Sequence, residues 1–149
     1  MTMQTARQRW LSVLAHSDPA QLRHRWRQLG LHPAWQTVRA PEIGLARLQG
    51  RMGGTGSRFV LGDMTITRAV IRLDDGTCGY SYVMGRDKAH AELCALIDGL
   101  LLQQGETGAL HQQLIAPLAA DRAERLQQRA REVAASRVDF FTLVRGDNA

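Results

Sequence analysis

Asp74-Asp75-Gly76 separates two runs of strand-forming residues, and it constrains the fold more than any other stretch of the chain. Met64 to Leu73 is rich in Thr, Ile and Val. Thr77 to Met84 returns with Cys78, Tyr80, Tyr82 and Met84 on one side of a period-two pattern. An Asp-Gly turn between two such runs sets them side by side and antiparallel. Upstream, Leu45 to Met52 alternates as well: Ala46, Leu48, Gly50 and Met52 face one way, while Arg47, Gln49 and Arg51 face the other. Trp35 to Ala40 reads as a further strand. Residues 34–84 are therefore expected to form an antiparallel sheet of about four strands.

Helical periodicity brackets this region. Thr5 to Ala15 places Ala6, Trp10, Val13 and Leu14 on one face. Asp18-Pro19 supplies a cap position followed by proline at the first helical residue. Leu22, Trp26 and Leu29 line a second helix that Gly30 stops, giving a helical hairpin over residues 1–30. After the sheet, Gly85-Arg86-Asp87-Lys88 opens a long helix whose expected buried face is Ala89, Leu93, Leu96, Ile97, Leu100 and Leu101. A short helical piece holds Leu110 and Leu114 before Pro117. Leu118 to Ser136 forms the last helix, striped by Ala119, Ala123, Leu126, Ala130 and Val133. Two longer helices thus occupy residues 86–136. The segment 138–149 is unusually apolar for a chain end, with Phe140, Phe141 and Leu143. It is expected to dock as an edge strand or in a partner's groove. The fold class is α+β, in a single domain over 1–149.

At 149 residues the chain is long enough for a real core. No apolar run approaches the roughly 20 residues of a membrane span, and no signal peptide is evident, so the expected location is cytoplasmic. Two cysteines, Cys78 and Cys94, fit a reduced compartment. The formal charge is +5, and Lys88 is the sole lysine. Arginine makes planar, bidentate contacts with carboxylates and phosphates, and it suits permanent interfaces.

Arg51-Met-Gly-Gly-Thr-Gly-Ser-Arg58 is the strongest candidate for chemistry. Glycines without Cβ allow backbone amides to converge, and the hydroxyls and guanidinium groups around them suit phosphate or phosphonate oxygens. The candidate anion or substrate residues are Arg51, Gly53, Gly54, Thr55, Gly56, Ser57 and Arg58. A glycine-built hairpin loop accounts for the same stretch, and both readings stand. Other constellations are thin. His90 and Cys94 are spaced to share a helix face, and Cys78 is the one further ligand at hand for a zinc site that needs three or four. Ser57 or Ser81 with His90 and Asp87 has no supporting motif. Asp63, Asp74, Asp75 and Asp87 all fit turns or caps.

Four blocks together resemble the G subunit family of the carbon–phosphorus lyase core complex (PhnG). They are Arg51 to Gly56, Tyr80 to Asp98, Ile115 to Leu118 with Ala120-Asp-Arg122, and Ala135 to Ala149. The resemblance implies a place in a machine that degrades alkylphosphonates as a phosphate source. There the G, H and I subunits, with the L protein, install methylphosphonate on C1 of the ATP ribose and displace adenine. The I subunit is expected to carry the nucleosidase activity, and the J subunit, with its iron–sulfur cluster, to cleave the carbon–phosphorus bond. MgATP and methylphosphonate are then substrates of the complex, with no cofactor or metal held by this subunit alone. The resemblance carries over no catalytic residue. The expected partner-interface residues are Arg137, Asp139, Phe140, Phe141, Leu143 and Arg145. A stand-alone phosphate- or nucleotide-binding enzyme is the alternative, and a nucleic-acid-binding module a weaker one, since lysine clusters and a reading motif are missing.

Overall fold

A computed structural model describes the backbone of residues 3–51 and 58–147 and the side chains of residues 5–47 and 62–136. Helix α1 (Met3–Ala15) buries Ala6, Trp10, Val13 and Leu14, so its expected face is the observed one. Helix α2 (Pro19–Leu29) starts at proline and ends at Gly30, whose φ of 65° lets its N–H return to the Arg27 carbonyl. Asp18 holds the cap position in extended backbone, but its side chain makes no capping hydrogen bond.

The sheet among the described residues has three strands rather than the expected four, in the order β1-β2-β3 and antiparallel throughout. The segments read as two strands, Trp35 to Ala40 and Leu45 to Met52, run together as β1 (Trp35–Arg51). Pro41 lies within it because β1 is an edge strand, where a missing N–H leaves no ladder bond unmade. The cost is local. The register against β2 (Arg58–Leu73) shifts between Thr37 and Arg39 and again between Arg39 and Glu42. β3 (Cys78–Met84) completes the sheet through the Asp74-Asp75-Gly76 turn, in which Gly76 has φ 92°.

Helix α3 (Lys88–Gln104) lies across one face of the sheet. Thr67, Ala69, Ile71 and Leu73 of β2 and Gly79, Ser81 and Val83 of β3 point toward it and are buried. The helix is covered on the other side by α1, so every residue from Cys94 to Leu101 is buried. The expected stripe is rotated accordingly: Ala89 is exposed and Leu93 half-buried, while His90, Ala91, Cys94 and Ala95 join the core. Glycine sets the distance between helix and strand. A Cβ on Gly79 would collide with the Ala95 carbonyl oxygen and stand 2.7 Å from the Gly99 nitrogen.

A π turn over His111–Ile115, with the Ala116 N–H donating to the His111 carbonyl, leads into α4 (Ala116–Asp147). The wider turn admits Pro117, which has no N–H to give. The last helix therefore does not stop near Ser136. Its backbone continues to Asp147, and the C-terminal segment is helix rather than an edge strand. Every side chain from Ala123 to Ser136 is exposed, including the stripe residues Leu126 and Val133 at 51% and 52%. No helix among the described residues is long and apolar enough to cross a membrane.

Since the atoms opposing Gly79 are backbone and have no rotamer to change, Gly79→Ala is expected to cost about 3 kcal/mol. Thermal unfolding of the purified variant checks this, as a midpoint lower by roughly 6–12 °C.

Candidate functional site

The glycine-rich stretch closes the β1–β2 hairpin. Arg51 and Arg58 are the last paired residues, and Gly53, Gly54, Thr55, Gly56 and Ser57 lie outside the described residues. β3 pairs only as far as Ile66 opposite Met84, so the end of the hairpin leaves the body as a two-stranded ribbon. Such a ribbon is marginal in water by itself. Among its described side chains Leu45 is 73% exposed and Arg47 and Asp63 are open, while Ala46, Met64 and Thr65 are half-buried. Arg137, Asp139, Phe140, Phe141, Leu143 and Arg145 fall on the distal part of α4, and their side chains lie outside the described residues.

The candidate catalytic groups are not brought together. The Ser81 hydroxyl donates to the Ala91 carbonyl at 2.6 Å, inside the strand–helix contact. Asp87 caps α3 by accepting the His90 backbone N–H at 3.0 Å, and it does not orient the imidazole. Asp75 accepts from the Thr77 N–H and hydroxyl, both at 3.0 Å, and these bonds hold its carboxyl below its usual range. Asp63 and Asp74 are exposed. His90 and Cys94 do meet, with Sγ 3.7 Å from Nε2, but both are buried. Burial pushes the Cys94 thiol up to about 12 and lowers the His90 imidazole, so at neutral pH the pair is neutral. Cys78 is elsewhere, its thiol 3.8 Å from the Gly76 carbonyl. Among the described residues no group of three or more His, Cys, Asp or Glu is placed to hold a metal ion.

Periodicity missed a carboxylate that accepts four hydrogen bonds. Asp98, in the middle of α3, is fully buried. Its Oδ1 accepts the Trp10 indole N–H at 2.7 Å and Arg7 Nε at 3.2 Å. Its Oδ2 accepts an Arg7 terminal nitrogen at 2.8 Å and the Tyr80 backbone N–H at 2.9 Å. The Arg7 guanidinium is held charged first by its hydrogen bonds to Asp98, and its carbon lies 5.3 Å from the centre of the Tyr80 ring. One carboxylate thus joins α1, α3 and the free edge of β3. The available signal was an acid standing alone in the apolar run Leu96-Ile-Asp-Gly-Leu-Leu101, which a charge without partners could not occupy. A second carboxylate, Asp121, accepts from Gln21 at 2.8 Å and Arg25 at 3.1 Å, fastening the start of α4 to α2. Arg122 adds a bond to the Ser12 hydroxyl at 2.8 Å. These groups hold elements together; among the described residues the open parts are the ribbon, the outer sheet face and α4 from Ala123 to Ser136.

The family described as "Phosphonate metabolism protein PhnG" matches residues 5–146, nearly the whole chain. The chain belongs to the PhnG family. A curated relative from Rhizobium meliloti (strain 1021), "Alpha-D-ribose 1-methylphosphonate 5-triphosphate synthase subunit PhnG", is 38% identical over 145 residues, covering 95% of this chain and 90% of the relative. Both projecting elements described above, the ribbon and most of α4, lie within the span matched to the PhnG family.

Removing the charge of Asp98 strands Arg7 and two neutral donors. Asp98→Asn is expected to cost about 3 kcal/mol, measured by urea unfolding. Adding Arg7→Met should cost less than the sum of the single changes by at least about 1 kcal/mol in a double-mutant cycle.

His90 sets a pH dependence. Burial lowers its folded pKa, so the unfolded chain takes up the proton first as pH falls. This contribution to stability is complete above the unfolded value of about 6.5 and is lost as pH falls below it. The unfolding midpoint should therefore drop between pH 7 and pH 5, and His90→Gln should flatten that slope, as read by thermal melts across the range.

Proposed function

We propose that this chain is the G subunit of a carbon–phosphorus lyase core complex. It supports the ATP-dependent synthesis of alpha-D-ribose 1-methylphosphonate 5-triphosphate, with release of adenine. Its partners are the H, I and J subunits, with the L protein in the first reaction, in the cytoplasm. MgATP and methylphosphonate are substrates of the assembly. The match to the synthase subunit of Rhizobium meliloti supports this reading most directly.

The geometry supports an accessory role rather than a self-sufficient active site. Two elements reach away from a small body and leave apolar side chains open, Leu45 on the ribbon and Leu126 and Val133 on α4. Residues of this kind are covered in a permanent assembly. In the same reading, Arg51, Gly53, Gly54, Thr55, Gly56, Ser57 and Arg58 at the end of the ribbon touch phosphate oxygens in a shared cleft. Arg137, Asp139, Phe140, Phe141, Leu143 and Arg145 on distal α4 face a neighbouring subunit.

Reconstitution tests both parts. Co-expressed subunits are expected to form the triphosphate product only when this chain is present. Product formation by the assembly without it, or nucleotide turnover by the isolated chain, would overturn the proposal. Within the intact complex, Arg51→Ala with Arg58→Ala should lower product formation at limiting ATP by about tenfold or more, the loss expected for charge-assisted phosphate contacts. Wild-type rates in that variant would remove the anion role and leave the assembly role standing.

A further inference from the structure

Among the described residues no helix covers the face of the sheet turned away from α3, and the composition of that face is that of an interface. The register aligns Glu42, Arg68 and Tyr82 in one row across the three strands, and Arg39, Val70 and Tyr80 in the next. Gly44, Ile66 and Met84 form a third row. Tyr82 and Met84 are 60% and 56% exposed, and Ile66 and Val70 on the central strand between them are half-buried. The middle of the face is therefore apolar and aromatic, as in the core of a protein interface.

The charges on this face are of one excess sign. Arg68 lies 3.9 Å from Glu42, its neighbour in the same row. Arg72 bonds only the Gln36 amide oxygen, at 3.1 Å, and Arg39 meets no acceptor among the described residues. Asp75, beyond Arg72 at the turn, is occupied by Thr77. Two guanidinium groups thus stand beside an apolar centre with no carboxylate partner among the described residues, Arg72 spending one donor on a neutral amide. Carboxylates are the groups that fit them on a protein surface, since arginine pairs with them through two parallel bonds.

We infer that this outer sheet face docks a partner subunit whose surface is apolar at its centre and presents carboxylates to Arg39 and Arg72. The inference rests on the proposed role in a multi-subunit assembly and specifies the surface that role uses. It is distinct from the glycine-rich loop and from distal α4. Tyr82 and Met84 supply the area that excludes water, and the two arginines set register and speed encounter.

Charge reversal is the test. The chain is co-expressed with its partner subunits in three forms: wild type, Tyr82→Glu, and Arg39→Glu with Arg72→Glu. Dissociation constants are then measured for the purified chain against the remaining subunits. Both variants should bind at least about tenfold more weakly. The salt dependence seen for the wild type should flatten in the arginine variant. Their melting midpoints as isolated chains should match the wild type, because the substituted side chains are exposed. Should a reversal variant misfold, Arg39→Gln with Arg72→Gln keeps size and polarity and still removes both charges. A control on another surface, Gln112→Glu, should bind as the wild type does. Assembly of the wild-type chain with undiminished assembly of the folded variants would overturn this inference alone. Failure of the wild type to assemble would overturn the proposed function beneath it. If the isolated wild-type chain sediments as a dimer that Tyr82→Glu dissociates, a second copy is the occupant and the inference falls.

Discussion

A single buried carboxylate decides how the layers of this molecule are joined. Asp98 sits where α3 crosses under α1, and its four accepted hydrogen bonds come from two other elements. A carboxylate without partners at that depth would be prohibitively costly, so the arrangement exists only when α1 and β3 are both in place. Apolar packing between α1 and α3 is non-directional and tolerates several crossing positions. The indole of Trp10 and the fork of Arg7 select one of them. The Tyr80 bond has a further consequence: β3 is a sheet edge, and part of its free backbone is spoken for by a side chain, which discourages pairing there. Close approach of helix and strand at Gly79 and Gly99 makes that bond reachable.

Two elements leave the body held in this way. β3 pairs with β2 only from Ile66 to Arg72, and the β1–β2 hairpin runs on beyond it as far as Arg51 and Arg58. α4 is likewise fastened near its start by Asp121 and Arg122, and from Ala123 to Ser136 its side chains are open. The fastening is polar and local, so it fixes the direction of the helix without burying its length. A chain that ends its core early and continues its apolar pattern into open elements has its remaining burial to complete against something else.

Much of this was legible in the sequence, and the failures are instructive. The spacing of Ala6, Trp10, Val13 and Leu14 and the stop at Gly30 describe α1 and α2 as found. Asp-Gly in the turn at 75–76 gave the β2–β3 hairpin. Trp35 to Ala40 and Leu45 to Met52 were read as two strands, but the stretch between them, with Pro41, continues as one strand because β1 is a sheet edge, where a missing N–H leaves no ladder bond unmade. The buried side of α3 was misjudged by counting apolar residues, since two of its deepest groups, His90 and Asp98, are polar. The break assigned after Ser136 followed a change of composition, to which a helical backbone is indifferent. As for the candidate loop, its glycines located the end of a hairpin, but a loop's chemistry depends on what stands opposite, and that is not written in its own residues.

The energetics of the open surfaces argue that charge must choose the partner. Val38, Leu45, Tyr82, Met84, Leu126 and Val133 are each at least half exposed. Covering what they still show is worth on the order of 5–10 kcal/mol at 25 cal/mol per Å². Association itself costs about 4–15 kcal/mol in lost freedom, so this apolar area roughly offsets that cost and leaves little margin. It also discriminates poorly, because any apolar surface of suitable shape would serve. Directional contacts have to supply the difference, and arginine is the residue that supplies them with least loss of freedom per bond. A chain with 19 basic residues of which Lys88 is the only lysine is built for that kind of contact. The same two-part logic operates inside the molecule, where apolar packing holds α1 to α3 and the Arg7–Asp98 fork says where.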